Sequence, residues 1–453
     1  MDPIVDYLSN YTTFLNFIDL PDDVVHHTKR LIIDTLGCAI GGYASEPSKV
    51  ARLLASTVSS TQPATILGSG QQTSLELATF ANGVMMRYLD FNDGYTGKES
   101  GHPSDAIAAV LSPAEVVAGD GKRVITATVL AYETFCRLCD AVCVRDRGFD
   151  HVTLGVIAST VGAAKAIALP RDKVAQALNL SLAANLALYQ TRLGEVSLWK
   201  GCAFANASRN AVFAVQLAAL GLTGPSPIFA GAGGFFRALQ CDPFTLEPFG
   251  GAEQPFKMLE CIIKGFPLGL YSQTVVDAVL QVRQQLPRLD DIQRIHIATL
   301  QTAVNIMAGD AEKWHPANRE TADHSMPYTA AVALMYGTVE ARHFEAAYLR
   351  DPALLDLVQK VSVSVSDEAN RRAPEAMLSQ VEVTTTSGAR YRAEVPYHRG
   401  HYKNPMSDQE VETKFRTLVR EFLSPTQTDA LLERLWHLEQ VEDIGQVIRL
   451  IRI

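Results

Sequence analysis

The chain is predicted to be mainly α, with a large all-helical domain and a smaller α+β domain. Three observations carry this. Apolar residues recur at helical spacing from about Asp22 to Leu286. Alternation with period two begins only after about Arg288, first in Ile292–Leu300. Helical periodicity then returns from Ser407 to the end, in a tail expected to pack back on the first domain. The expected boundaries are 1–266 with 405–453 for the helical domain and 267–404 for an α+β lid. A length of 453 residues suggests about three domains at roughly 150 residues each. The pattern reduces that to two.

Taken in order, Pro21-Asp22-Asp23 opens a helix carrying Val25, Ile32, Ile33, Leu36 and Ile40, and Gly41-Gly42 closes it. Further helices are expected near Ser74–Leu89, Ser104–Ala118, Val124–Val144, Val152–Ile167, Arg171–Leu188 and Cys202–Leu220. Gly155, Ala158, Gly162 and Ala163 give one of them a small face, which lets neighbours approach closely and suits the centre of a bundle. Ala230–Gly234 reads as a loop between helices. In the second domain, Ile292–Leu300, Val361–Val365, Val381–Thr386 and Tyr391–Val395 read as strands. Ser387-Gly388-Ala389 is the turn joining the last two. Helices fall around Tyr328–Tyr336 and Phe344–Leu349, and in the tail at Asp408–Phe422 and Thr426–Leu435. There is no internal repeat and no low-complexity tract.

Composition excludes several function classes. Forty basic against 49 acidic residues give a net charge of −9, so neither a nucleic-acid footprint nor a polybasic membrane surface is expected. An anionic small substrate stays open, because a pocket can be cationic inside an acidic shell. No segment reaches about 18 uncharged apolar residues; the longest candidate, His151–Leu169, contains Lys165. The N-terminus MDPIVDYLSNYTTFLNF is acidic and lacks Arg, unlike a signal or transit peptide. Seven cysteines in 453 residues give no sign of a disulfide scaffold and favour a reducing compartment. A cytoplasmic location is expected, the mitochondrial matrix being the alternative. No P-loop or complete GxGxxG is present. Gly231-Ala232-Gly233 comes nearest, with Phe236 at the third glycine position, so no nucleotide cofactor is indicated.

Four segments carry candidate chemistry. Leu89-Asp90-Phe91-Asn92-Asp93-Gly94-Tyr95 precedes Gly101-His102-Pro103-Ser104-Asp105. Carboxylates near a histidine suit proton transfer. Ser104 as an N-cap would set His102 just outside a helix N-terminus, where a carboxylate binds well. Gly148-Phe149-Asp150-His151 precedes the small-residue helix, with Asp150 as its cap. Ser197-Leu198-Trp199-Lys200-Gly201 sets a cation before the Cys202–Leu220 helix, an arrangement that makes sense if an anion is shared with the helix end. Ile263-Lys264-Gly265-Phe266-Pro267 sets another before a helix, against the plainer reading of a snorkelling lysine. Each segment has a structural reading as loop or cap. Together, His, His, Lys and Lys at four helix entrances suggest a polycarboxylate site. Cys136, Cys139 and Cys143 have a spacing an iron–sulfur cluster uses, but they also share one helix face, and the core reading is favoured. No zinc ligand set is evident.

In this order, Asp34-Thr-Leu-Gly-Cys38, Tyr88-Leu-Asp-Phe-Asn-Asp93, Gly101-His-Pro-Ser-Asp105, Asp150-His151, Trp199-Lys-Gly201, Lys264 with Phe266-Pro267, Ser272-Gln-Thr274 and Ala322-Asp-His-Ser-Met-Pro-Tyr328 resemble the MmgE/PrpD family over nearly the whole chain. Its members include 2-methylcitrate dehydratase and cis-aconitate decarboxylase. The resemblance implies a helical domain built from both chain ends, an inserted α+β domain, a homodimer, and no metal or organic cofactor. It implies catalytic roles for Asp90, His102, His151, Lys200, Lys264 and Tyr328. Asp93, Ser104, Tyr271 and Gln273 are expected to bind substrate. The LDFND-to-GHPSD spacing and the WKG triplet look more like the dehydratase branch. Gly94 departs from a common Thr, and Tyr271 from a His of that branch; the smaller Gly94 would make room for a longer alkyl group.

The implied reaction is loss of water from 2-methylcitrate or a related 2-alkylcitrate, giving an aconitate-type alkene. Lys200 and Lys264 would hold carboxylates and stabilise developing charge. His102 and His151 would supply base and acid, since histidine titrates near neutrality. Asp90 would orient one of them, and Tyr328 would donate to the leaving group or a carboxylate. The alternatives are decarboxylation of cis-aconitate to itaconate, an iron–sulfur hydro-lyase, and a silent binding protein on the same fold.

Overall fold

Helix formation begins earlier than the apolar periodicity suggested. Asp2 accepts the amide of Ile4 at 3.0 Å and Pro3 occupies the first turn, so Pro3–Phe14 is helical. Its inward residues Ile4, Val5 and Leu8 are buried. A second unforeseen helix, Glu46–Ala55, starts from the Ser45 cap. The computed structural model describes residues 2–246, 248–251 and 254–453. It divides into two units, and the helical and α+β classes fall one to each.

The first unit comprises Met1–Tyr189, Gly201–Cys261 and Ser407–Ile453, so both chain ends build it. Val152–Ala166 is buried along nearly its whole length, as its small-residue face implied. Gly121–Ala141 and Ala203–Ala219 pack against it. Asp22–Gly41 ends at the expected glycines, and the tail helix Asp408–Val419 packs on it. There Lys414 pairs with Asp34 at 2.6 Å, both side chains buried. The expected Ser104–Ala118 helix is corrected: a 3₁₀ turn at Pro103–Ala106 precedes a helix at Ala108–Val116. Arg171–Leu188 stops at Ala183. Cys136 and Cys139 are buried in the core, and burial pushes their thiols up, Cys136 to about 11. Cys143 is shifted upward for the same reason. Cys136 and Cys139 thus pack as small apolar groups, whereas Cys143 is half-buried and lies past the helix end at Ala141, off the helix face expected for all three.

The second unit comprises Gln190–Lys200 and Ile262–Met406. The expected boundary at 266/267 therefore falls at 261/262, and residues 190–200, assigned from sequence to the helical domain, belong here. Its sheet holds β1 (Ile292–Thr299), β2 (Val361–Val365), β3 (Ser379–Thr385) and β4 (Arg390–Val395) in the order β2-β1-β3-β4. β1 runs parallel to β2, pairing Ile295 with Val361, and antiparallel to β3, pairing Ile297 with Val381. β3 buries every second residue, and Gln273–Gln285 packs on that side. The β3–β4 turn is the one expected, with Gly388 at φ +84°. Helix Met326–Tyr336 starts from Ser325, whose hydroxyl accepts the amide of Tyr328.

Candidate functional site

In the first unit the polar loops lock one another. Helix Leu75–Tyr88 ends, and the chain turns through Asp90 at φ +50°. A non-glycine residue in this left-handed region stores of order 1 kcal/mol or more, a strain found mostly at functional sites. Asp90 is fully buried and accepts Nη1 of Arg87 at 2.8 Å. Arg87 also faces Asp105 at 3.4 Å. The Asn92 amide donates to Ser104 Oγ at 2.8 Å and to Asp105 Oδ1 at 2.7 Å. Asp93 Oδ1 accepts the Ser104 amide at 3.1 Å and its hydroxyl at 2.5 Å. Burial raises the Asp93 carboxyl to about 6, against the hydrogen bonds from Ser104 and Tyr132 that lower it. Ser104 is thus no helix cap; its hydroxyl is used inside the loop. Asp93 and Ser104, expected to bind substrate, instead hold this loop together.

The two histidines are fixed by different oxygens. Nδ1 of His102 lies 2.7 Å from the Asp93 carbonyl. A carbonyl only accepts, so this nitrogen carries the proton and the ring presents Nε2, 3.9 Å from Asp90 Oδ1. Asp150 accepts the Val152 amide at 3.1 Å, as a cap does, and also faces Nδ1 of His151 at 2.9 Å. Nε2 of His151 is buried with no hydrogen-bond partner among the described residues. The two rings are 5.7 Å apart and steeply inclined. Phe135 and Phe204 flank His151. A Cβ on Gly101 would stand 2.7 Å from the His151 ring and 2.6 Å from Phe135, so the strand passing the imidazole has to be bare.

In the second unit the lysines are buried rather than displayed. Lys200 sits in the 3₁₀ turn Leu198–Gly201 and donates to Asp323 Oδ1 at 2.6 Å. Nδ1 of His324 lies 2.6 Å from the same oxygen and 3.2 Å from the Lys200 ammonium. The expected sharing of an anion with a helix end is corrected: Asp323 balances the charge. Lys313 is buried beside them, its amine lowered by burial and by Lys200, with no hydrogen-bond partner among the described residues. Lys264 is fully buried in a loop, nine residues before the helix Gln273–Gln285. It neither snorkels nor stands at a helix entrance.

Gln273 shapes that loop. Its amide oxygen accepts the amides of Gly265 and Phe266, and its NH₂ donates to the carbonyls of Phe266 and Leu268. This spends its polar capacity on backbone, correcting the substrate-binding expectation. Tyr271 lies in the apolar core of the second unit. So does Tyr328, whose hydroxyl donates to the carbonyl of His343 at 2.6 Å. Burial pushes that phenol upward. Tyr328 is therefore a core residue with a satisfied hydroxyl, not a proton donor to substrate.

Two family models match the chain: the MmgE/PrpD N-terminal domain over residues 6–247 and the MmgE/PrpD C-terminal domain over residues 266–438. The chain belongs to the MmgE/PrpD family. Among relatives of this MmgE/PrpD chain, 2-methylcitrate dehydratase of Salmonella typhimurium is 29% identical over 431 residues, covering 88% of this chain and 85% of the relative. The protein of that name from Cupriavidus necator is 29% identical over 463 residues, covering 95% and 91%. Cis-aconitate decarboxylase of Homo sapiens is 26% identical over 460 residues, covering 96% and 90%.

The structure of this MmgE/PrpD member adds residues that sequence reasoning passed over. Arg87 and Asp105 brace Asp90, Asn92 braces the loop, Asp150 orients His151 as well as capping, and Asp323 with His324 surrounds Lys200. Asp323 and His324 stood in the ADHSMPY motif, but only Tyr328 was read from it. The signal that finds them is the need of a buried lysine for a carboxylate.

Proposed function

We propose that this protein is a hydro-lyase that eliminates water from 2-methylcitrate or a related 2-alkylcitrate, with side chains assigned to every proton step. The observation that carries the reading is the histidine pair. Each ring is held through Nδ1 by an oxygen acceptor, which commits its chemistry to Nε2. The names of its relatives, at 26–29% identity, support a substrate of this class.

In this reading His151 is the base. Asp150 fixes its tautomer and balances the charge the ring acquires when Nε2 takes the proton alpha to a carboxylate. His102 is the acid, with Asp90 beside Nε2 where the proton to be delivered sits. It protonates the departing hydroxyl, so water leaves as the C–O bond breaks and the alkene forms. Lys200 and Lys264 bind substrate carboxylates and stabilise charge on the carboxylate next to the carbanion. We extend the reading to a homodimer, which light scattering on the purified chain checks against a monomer mass.

The test is a panel of citrate, 2-methylcitrate, longer 2-alkylcitrates and cis-aconitate, with products weighed by mass spectrometry. Loss of water from a 2-alkylcitrate supports the reading. Loss of carbon dioxide from cis-aconitate, with no dehydration, replaces it with the decarboxylase alternative. A strong preference for the short substrate removes the longer-alkyl expectation at Gly94.

A further inference from the structure

One buried acid of the first unit, Glu99, lies between the LDFND and GHPSD segments, three residues before His102. The motif reading passed over it. Its backbone is fixed on two sides. The Glu99 amide donates to the Cys139 carbonyl at 2.9 Å, near the end of helix Gly121–Ala141, and the Glu99 carbonyl accepts the Gly97 amide at 2.8 Å. Tyr95–Thr96 then pairs antiparallel with Ser100–Gly101, placing Tyr95 opposite Gly101.

The carboxylate joins two stretches of chain. Oε2 accepts the amides of Val144 at 3.0 Å and Arg145 at 2.8 Å, and Cys143 Sγ lies 3.6 Å from it. Oε1 accepts the Ser100 amide at 3.0 Å and faces Nη1 of Arg145 at 3.1 Å. Val144 and Arg145 in turn build the turn that leads to His151. The Arg145 carbonyl accepts the Gly148 amide at 3.0 Å, and the Val144 carbonyl accepts the Phe149 amide at 3.1 Å. Asp150 and His151 follow directly. On the other side, Ser100-Gly101 leads from the carboxylate to His102. The two stretches meet again at the rings, where a Cβ on Gly101 would stand 2.7 Å from the His151 imidazole.

Hydrogen bonds to a carboxylate are short and strong, and four nitrogen donors on one buried group make a stiff joint. The joint lies three residues from His102 and six from His151 on its Arg145 side, so a shift there moves one ring against the other. We infer that Glu99 is a positioning residue whose carboxylate sets the spacing of the His102 and His151 imidazoles, 5.7 Å between ring centres and inclined at 72°. This rests on the reading of those rings as the acid and base of a dehydration. One removes a proton and the other delivers one to the same substrate, and a misplacement of about 1 Å can cost about 10²-fold in rate. Carboxylate binding is assigned to Lys200 and Lys264, so the loss falls on kcat rather than on KM.

Glu99→Gln in the full-length chain is the direct test. Whichever way its amide is turned, the NH₂ faces two nitrogen donors: the Val144 and Arg145 amides, or the Ser100 amide and the Arg145 guanidinium. Its kcat for 2-methylcitrate should fall about 10²-fold with KM within a few-fold, and its crystal structure should show the ring separation changed by about 1 Å. Glu99→Asp keeps the carboxylate but is one methylene short of both donor sets, and its kcat should fall about tenfold; it decides the matter if Glu99→Gln does not fold. Normal kcat in a folded variant, a loss confined to KM, or rings in their wild-type places overturns the assignment and leaves Glu99 a structural acid. Failure of both variants to fold does the same. The ring separation is read without turnover, which separates the two claims. Moved rings in a chain whose wild type dehydrates no 2-alkylcitrate keep the positioning role and reject the reaction. Dehydration by wild type with unmoved rings in the variants does the reverse.

Discussion

The two units bury polar residues for different purposes. In the first, the loops around His102 and His151 spend their neighbours on aiming two nitrogens. Asp93 and Asp150 contact a ring, Ser104 holds Asp93, Arg87 holds Asp90, and Asn92 braces Ser104. In the second, Asp323 balances the buried Lys200, and a loop clamped by Gln273 carries the buried Lys264. Aimed imidazoles suit proton transfer, whereas buried ammonium groups suit holding an anion. In the proposed reaction the histidines are assigned the chemical half and the lysines the binding half.

The largest expected effect breaks this comparison at its chemical side. His151→Asn and His102→Asn should each lower turnover about 10²–10⁴-fold with melting little changed. A loss confined to KM would move these residues to the binding half. Next comes the binding side. Lys200→Met leaves Asp323 charged and buried, so it should cost about 3–5 kcal/mol of stability, read by denaturant unfolding. Adding Asp323→Leu should restore most of that stability without restoring turnover. If Lys200→Met is as stable as wild type, charge balance is the wrong description of the second unit.

Asp93 sharpens the contrast through pH. Its carboxyl is raised from 3.8 to about 6 in the folded chain. Its contribution to stability is therefore fully present below about pH 4 and lost as pH rises through about 6, up to about 3 kcal/mol. Asp93→Asn should lack that loss, so the difference between variant and wild-type unfolding curves should grow between these pH values and then level off. A flat difference removes the assigned shift. The smallest effect concerns Tyr328. Tyr328→Phe should cost about 0.5–1.5 kcal/mol for one hydrogen bond and leave turnover within a few-fold, whereas a loss of several hundredfold would return it to the catalytic set.

How legible each half was follows from chain distance. Asp90, Asp93, His102 and Ser104 fall within 15 residues, so the histidine loop showed as a motif, although the role given to Ser104 was wrong. A cap and a loop tether look alike until the helix start is known, and the helix starts at Ala108. Lys200 and Asp323 are 123 residues apart, and no local pattern joins them. Tyr328 shares a motif with Asp323 and His324, and only packing shows that its hydroxyl points into the core. Helical and strand periodicity gave the central helix, β2 and the β3–β4 turn closely, because one buried face imposes a period. Pro3–Phe14 went unread although Asp2 and Pro3 announce it, and residues 190–200 carry no signal of which unit they join.

The account stands most directly on one comparison: the initial rate at which wild type, His102→Asn and His151→Asn release water from 2-methylcitrate, with the product identified by mass. The account predicts the dehydrated alkene from wild type and losses of about 10²–10⁴-fold in both variants. Near-normal rates in both variants, or a product that has lost carbon dioxide instead of water, would contradict it.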